Sequence, residues 1–295
     1  GDHRDLHLSL RRQRQMCIRD RTLLFCELHQ VSQKTLRTRR PELLDARAKI
    51  VRNRVSSQGA DVTASALIPV RGKATDPHST ALRPLGGKAL IEWTIDAASK
   101  ANRVSEVIVS SRDDEVLSHV RATYGDDVRT VRRDSNLARL NTLLVDTVQS
   151  VLDECYRAGP KPEALALLYV ESPFRTARHI DTAIDVLELF DTDRVIAVRP
   201  ETDNFFVHNG AGLEPVRQGR ALRLEAEELY RAAGDLEIIR RDYFAEFKSL
   251  SGGRTGHVVV DRRAALCLLS DWDWKIAELL LEQERPVAAD GSQCS

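Results

Sequence analysis

The sequence predicts an α/β fold: a mainly parallel sheet with helices on both faces and one small antiparallel excursion. Three observations carry that expectation. From Ser65 onward, short runs rich in Val, Ile and Leu alternate with longer stretches whose apolar residues recur every three or four positions. Turn residues or charges close each short run, and strands separated by helices join into a parallel sheet. The rhythm breaks once, after Pro200, where short apolar segments follow one another without a helical pattern between them.

Taken in order, the first strand is expected at 66–70, followed by a glycine- and arginine-bearing loop over 70–87 and a helix over 90–101. Strands at 106–110, 128–131, 164–169 and 194–198 then alternate with helices at 114–124, 142–157 and 176–190. In the last of these helices Ile180, Ile184 and Leu187 fall on one stripe, as a helix packed on a sheet requires. Segments 205–208 and 216–217 form the antiparallel excursion. The alternation resumes with a strand at 236–239, a helix at 243–247, a strand at 257–260 and a final helix near 272–281. Right-handed crossovers place ligand-binding loops at the carboxyl ends of such strands, near a switch in strand order.

The bulk composition narrows the class. A chain of 295 residues with 42% hydrophobic and 30% charged content has the make-up of a globular protein. It lacks any apolar run of about 18 residues, so no membrane partner is expected. Residues 1–60 hold 14 Lys/Arg against 6 Asp/Glu; the whole chain has 44 of each, so the remainder carries −8. An acidic body argues against nucleic acid as a partner. Cys17, Cys26, Cys155, Cys267 and Cys294 show no CxxC spacing and read as reduced thiols of a cytoplasmic protein.

Three segments follow. Residues 1–64 form a basic stretch with weak periodicity, expected to be disordered or artefactual. The string RQMCIRDR, Arg14 to Arg21, resembles a translated sequencing-adapter read-through. A short helix over 41–55 is the alternative there. The apolar patch at 23–26 is too short for a secretory signal, and Asp2, Asp5, Asp20 and Glu27 suit a mitochondrial presequence poorly. Residues 65–284 form the functional domain, and 285–295 a tail expected to be disordered.

Chemistry concentrates in the loops after strands. After the first, Arg71-Gly72 supplies a fork of donors and a flexible turn, and Lys73, Thr75, Thr80, Arg83 and Lys88 add charge and hydroxyls. Transfer of a nucleotidyl group needs such cations and amides around a triphosphate; a solvated surface loop is the plainer alternative. After the third strand comes Arg132-Arg133. After the fourth comes Tyr169-Val170-Glu171-Ser172-Pro173-Phe174-Arg175-Thr176, in which Ser172 and Thr176 also suit a turn and a helix cap. Before the last helix lie Cys267 and Leu269, then Asp271 and Asp273, whose carboxylates suit a helix amino end.

These motifs resemble, in order, those of the acylneuraminate cytidylyltransferases, which activate sialic acids and related keto-sugar acids. The matching residues are Ile68-Pro69, Arg71-Gly72, Arg83-Pro84-Leu85, Gly87-Lys88, Leu90-Ile91 and Trp93-Thr94-Ile95, then Arg132, Ser172-Pro173, Arg175-Thr176, Tyr230-Arg231 with Gly234, and Gly252-Gly253-Arg254. The resemblance implies a Rossmann-like sheet of the nucleotide-diphospho-sugar transferase type, and a homodimer. It implies CMP-sugar biosynthesis: CTP is coupled to an acidic sugar with release of pyrophosphate.

By the same resemblance Arg71 and Lys73 are catalytic; Arg71, Gly72, Lys73, Thr75, Thr80, Arg83 and Arg132 bind the nucleotide; and Tyr169, Glu171, Ser172 and Arg175 bind the acceptor. Mg²⁺ is the implied cofactor. The family's two metal-binding aspartates fall on Cys267 and Leu269, which leaves Glu171 and Asp271 as candidate carboxylates. The family's lysines fall on Thr75 and Thr80, with Lys73 and His78 nearby. A non-catalytic relative that binds a nucleotide, a sugar or a protein is the alternative reading.

Overall fold

Seven strands hydrogen-bond into one sheet around β1 (Ala64–Val70), the apolar run that opens the body. The computed structural model describes residues 62–74, 76–134, 144–157, 161–216 and 229–284. Expectations for 1–61, Thr75, 142–143, Arg217 and the tail from 285 lie outside the described residues.

The helices are α1 (Leu90–Ser99), α2 (Asp114–Tyr124), α3 (Leu144–Cys155), α4 (Ala177–Leu189), α5 (Arg241–Phe247) and α6 (Asp271–Gln283). The remaining sheet strands are β4 (Val104–Ser111), β5 (Val128–Arg132), β6 (Ala164–Leu168), β7 (Arg194–Glu201), β10 (Leu229–Arg240) and β11 (Thr255–Val259). Across the sheet the order is β11-β7-β10-β6-β1-β4-β5. Strand β10 runs antiparallel to both neighbours, and the other pairings are parallel.

The chain winds from β1 outward to β4 and β5, then returns to the other side of β1 as β6. The connections reverse between β1 and β6, which opens a crevice at their carboxyl ends.

Alternation along the strands builds two cores. Ala66, Ile68 and Val70 of β1 pack with α1, α2, α4 and α6, whereas Leu67 points to the opposite face with Ile108, Leu165 and Leu167, under α3 and α5. Each fully buried Leu or Ile there contributes about 1.5–3 kcal/mol. Pairing of Leu67 with both Ile108 and Leu167 fixes the register.

The expected elements form, with three differences. A hairpin of β2 (Pro84–Leu85) and β3 (Lys88–Ala89) stands inside the expected loop, because Gly86 and Gly87 take φ of 61° and 95° and close a tight turn. The excursion pairs β8 (Phe206–His208) with β9 (Leu213–Pro215), ahead of the expected 216–217. Strand β10 runs 12 residues, not four, because an irregularity between Ala232 and Glu237 absorbs the turn-like Gly234-Asp235. Among the described residues, no helix is long and apolar enough to cross a membrane.

Candidate active site

A cavity of about 890 Å³ opens at the carboxyl ends of β1, β5 and β6. Its first wall is the loop after β1. Gly72 turns that loop with φ of 65°, and a Cβ there would lie 2.3 Å from the Cβ of Asp113. Asp113 caps α2 by accepting from the Glu115 amide at 3.0 Å, and its other oxygen accepts from the Ala74 amide at 3.0 Å. The carboxylate thus clasps helix and loop together. Arg71, beside this clasp, lines the cavity. Lys73 is exposed and is not part of the wall.

Farther along, Thr80 lines the cavity, and its carbonyl accepts from the Arg83 amide at 2.9 Å. The Arg83 guanidinium lies 4.0 Å from the centre of the Trp274 ring and 3.2 Å from Asp271, at the amino end of α6. Trp274 itself is buried, so the aromatic face is a fixed seat for the guanidinium. Lys88 is committed elsewhere, paired with Asp96 over the Trp93 ring.

The arginine after β5 that enters the cavity is Arg133. Arg132, expected to hold the nucleotide, points outward and pairs with Asp114 at 2.8 Å, both side chains about two-thirds exposed. Arg133 is 8% exposed and lines the cavity. It continues the ladder through its amide, which donates to the Ser111 carbonyl at 2.8 Å, so strand alternation turns its side chain inward. Its Nη2 donates to the Ser110 carbonyl at 2.9 Å, and its buried Nε has no partner. No carboxylate among the described residues pairs with it. Burial, reinforced by the neighbouring Arg71 charge, pushes the guanidinium down to about 10. Two cations facing one cavity, one of them buried and incompletely bonded, make an anion-binding wall.

The third wall follows β6. Tyr169 and Glu171 line the cavity. Burial and three nearby carboxylates push the Tyr169 phenol up to about 12. Burial, with Asp235 nearby, also raises the Glu171 carboxyl above the ordinary range, against the opposing pull of Arg175 and Arg71. The other two expected acceptor residues turn inward. Ser172 is fully buried and donates to Asp235 at 2.7 Å. Arg175 is buried and donates to the carbonyls of Gly234, Asp235 and Tyr169 and to Thr94 Oγ1. These two brace the loop from beneath, while Tyr169 and Glu171 face the cavity. Thr176 caps α4, with Oγ1 3.3 Å from His179 Nδ1.

Among the described residues, the donors at the expected metal position do not fit a protein-held Mg²⁺. Cys267 donates its thiol to Asp235 at 3.1 Å, and burial first, then Asp235, pushes it up to about 12. Leu269 lines the cavity mouth with an apolar side chain. Asp271 stands exposed at the amino end of α6, where it pairs with Arg83, and Asp273 accepts from Ser270 at 2.7 Å in the cap of α6. Among the described residues, no three His, Cys, Asp or Glu side chains converge.

Comparison with known proteins gives the setting. Residues 65–195 match the family model described as Cytidylyltransferase. Post-translational flagellin modification protein B of Campylobacter coli is 21% identical over 231 residues, which span 76% of this chain and 97% of that protein. CMP-N,N'-diacetyllegionaminic acid synthase of Legionella pneumophila is 24% identical over 223 residues, 74% of this chain and 95% of that one. The solved structure of a CMP:2-keto-3-deoxy-manno-octonic acid synthetase complexed with CTP superposes with a TM-score of 0.56 at 16% identity, covering 75% of this chain and 99% of the other.

Proposed function

We infer, from a segment 65–195 that matches the cytidylyltransferase family model, that this chain couples CTP to an acidic sugar of the sialic-acid type and releases pyrophosphate. The observation that carries the reading is Arg133: a buried guanidinium with an unsatisfied Nε, beside Arg71, in a cavity at the sheet's switch point. A triphosphate satisfies both arginines and relieves their mutual repulsion.

Arg71 and Arg133 hold the phosphates, and the loop clasped by Asp113 sets the distance between them. The acceptor enters from the β6 side, over Tyr169 and Glu171. Its hydroxyl attacks the α-phosphorus in line while pyrophosphate departs. Arg83 is the cation available to an acceptor carboxylate, since its exposed pairing with Asp271 is worth about 0–1 kcal/mol and exchanges readily. The relatives named as synthases of CMP-N,N'-diacetyllegionaminic acid support the sugar class. Mg²⁺ belongs to this proposal as a companion of the triphosphate, with no carboxylate cage among the described residues to hold it.

Cys267 and Leu269, where metal-binding aspartates are expected, favour one competing reading: a protein that binds the nucleotide without turnover. The test is to incubate the full chain with CTP, Mg²⁺ or Mn²⁺ and a panel of keto-sugar acids, following pyrophosphate release and CTP affinity. Pyrophosphate formed in proportion to acceptor supports transfer. CTP binding without pyrophosphate supports the competing reading, and neither binding nor release removes both.

A further inference from the structure

Glu171 is the carboxylate of the β6 wall, for which the family resemblance implies acceptor binding alone. Its backbone is fixed independently of its side chain, because the Leu268 amide donates to the Glu171 carbonyl at 2.8 Å. Glu171 lines the cavity as part of the β6 wall, within reach of the Arg71 charge. The charged and titratable groups around it are Arg71 from the β1 loop, Arg175 from its own loop, Asp235 of β10, Tyr169 at the end of β6, and Cys267 before α6. Two of these are already committed: Asp235 accepts from Ser172 and Cys267, and Arg175 donates to carbonyls and Thr94. The Glu171 backbone amide donates to its own carboxylate, and among the described residues no side chain competes for it. Glu171 is close enough to Arg71 to feel its charge, and Arg71 also faces Arg133. The carboxylate therefore borders the space where phosphate and acceptor meet.

Resting on the cytidylyl-transfer reading, we propose that Glu171 is the general base that activates the acceptor hydroxyl. In this step the hydroxyl proton moves to a Glu171 carboxylate oxygen as the acceptor oxygen bonds to the α-phosphorus. The bond from the α-phosphorus to its bridging oxygen breaks, and pyrophosphate leaves with that electron pair. The protonated carboxyl then returns its proton to water. A base drawn from the protein suits a site with Cys267 and Leu269 where the family resemblance implies metal-binding carboxylates. Burial and Asp235 raise the Glu171 carboxyl towards the working range, which strengthens it as a base.

The test compares the full chain with Glu171→Gln and Glu171→Asp, using CTP affinity and steady-state pyrophosphate release with the panel of keto-sugar acids. Expected for Glu171→Gln is CTP affinity within about twofold of the parent, with kcat lower by about a hundredfold or more, the usual share of a general base. The parent's kcat should rise through one acidic titration that Glu171→Gln lacks, and Glu171→Asp should regain part of the rate. A parent that turns over with Glu171→Gln equally fast overturns the base and leaves cytidylyl transfer standing. A parent that binds CTP but releases no pyrophosphate with any acceptor overturns the base as well. Absence of CTP binding removes the cytidylyl-transfer reading itself, and this role with it.

Discussion

Arg71 and Arg133 line the same cavity from two different loops, and the charge of one, added to burial, pushes the other down to about 10. A protein holds two like charges together when a third, opposite charge is meant to sit between them. Replacement of Arg133 by Gln should therefore raise the CTP dissociation constant by about 10–100-fold, the equivalent of about 1.5–3 kcal/mol for a charge-assisted contact. Arg132→Gln should change it less than about twofold, since an exposed ion pair is worth about 0–1 kcal/mol. Isothermal titration of both variants with CTP decides between them.

Gly72 and Asp113 set the second expectation. A methyl group at Gly72 meets the Asp113 side chain and needs a left-handed backbone, φ of 65°. Gly72→Ala should cost about 2–4 kcal/mol from backbone strain and overpacking combined. Urea unfolding of the two proteins at one pH measures it.

The third concerns pH. Glu171 titrates higher in the folded protein than its ordinary 4.5, so the folded state holds the proton more tightly than the unfolded chain does. Its contribution is most favourable below the unfolded value, and stability is lost as pH rises through the folded value. Glu171→Gln should accordingly melt above the parent at pH 8, and the gap should narrow as pH falls towards 4.5. Melting scans across that window test the sign.

The fourth concerns metal. With Cys267 and Leu269 standing where the family resemblance implies oxygen ligands, the free protein should bind Mn²⁺ weakly, and adding CTP should carry the ion into the complex. Electron paramagnetic resonance of Mn²⁺ with protein alone, CTP alone and both together separates these contributions.

The sequence made the architecture plain because its signals are local and repeated. The continuous apolar run of β1 and the Ile180, Ile184 and Leu187 stripe of α4 each name an element without reference to any other. The site was less legible because side-chain direction depends on where a strand ends. Ending β5 at Val131 puts Arg132 at the loop's start. One further ladder bond, from the Arg133 amide to the Ser111 carbonyl, exchanges the two arginines. Ser172 and Arg175 matched by residue type, yet the carbonyls and carboxylate they bond come from β10, about 60 positions away, which no local pattern reveals. Asp113 carried a readable signal, an aspartate ahead of the acidic first turn Asp114-Glu115, that marks a helix cap. Its second bond, to the β1 loop, could be seen only in three dimensions.

The most direct measurement of the central claim is phosphorus NMR of the full chain incubated with CTP, Mg²⁺ and the keto-sugar acid panel. Cytidylyl transfer requires the triphosphate resonances to give way to equal amounts of pyrophosphate and a new CMP-sugar phosphodiester. Unchanged CTP resonances with every acceptor, at protein concentrations that saturate the nucleotide, would contradict it.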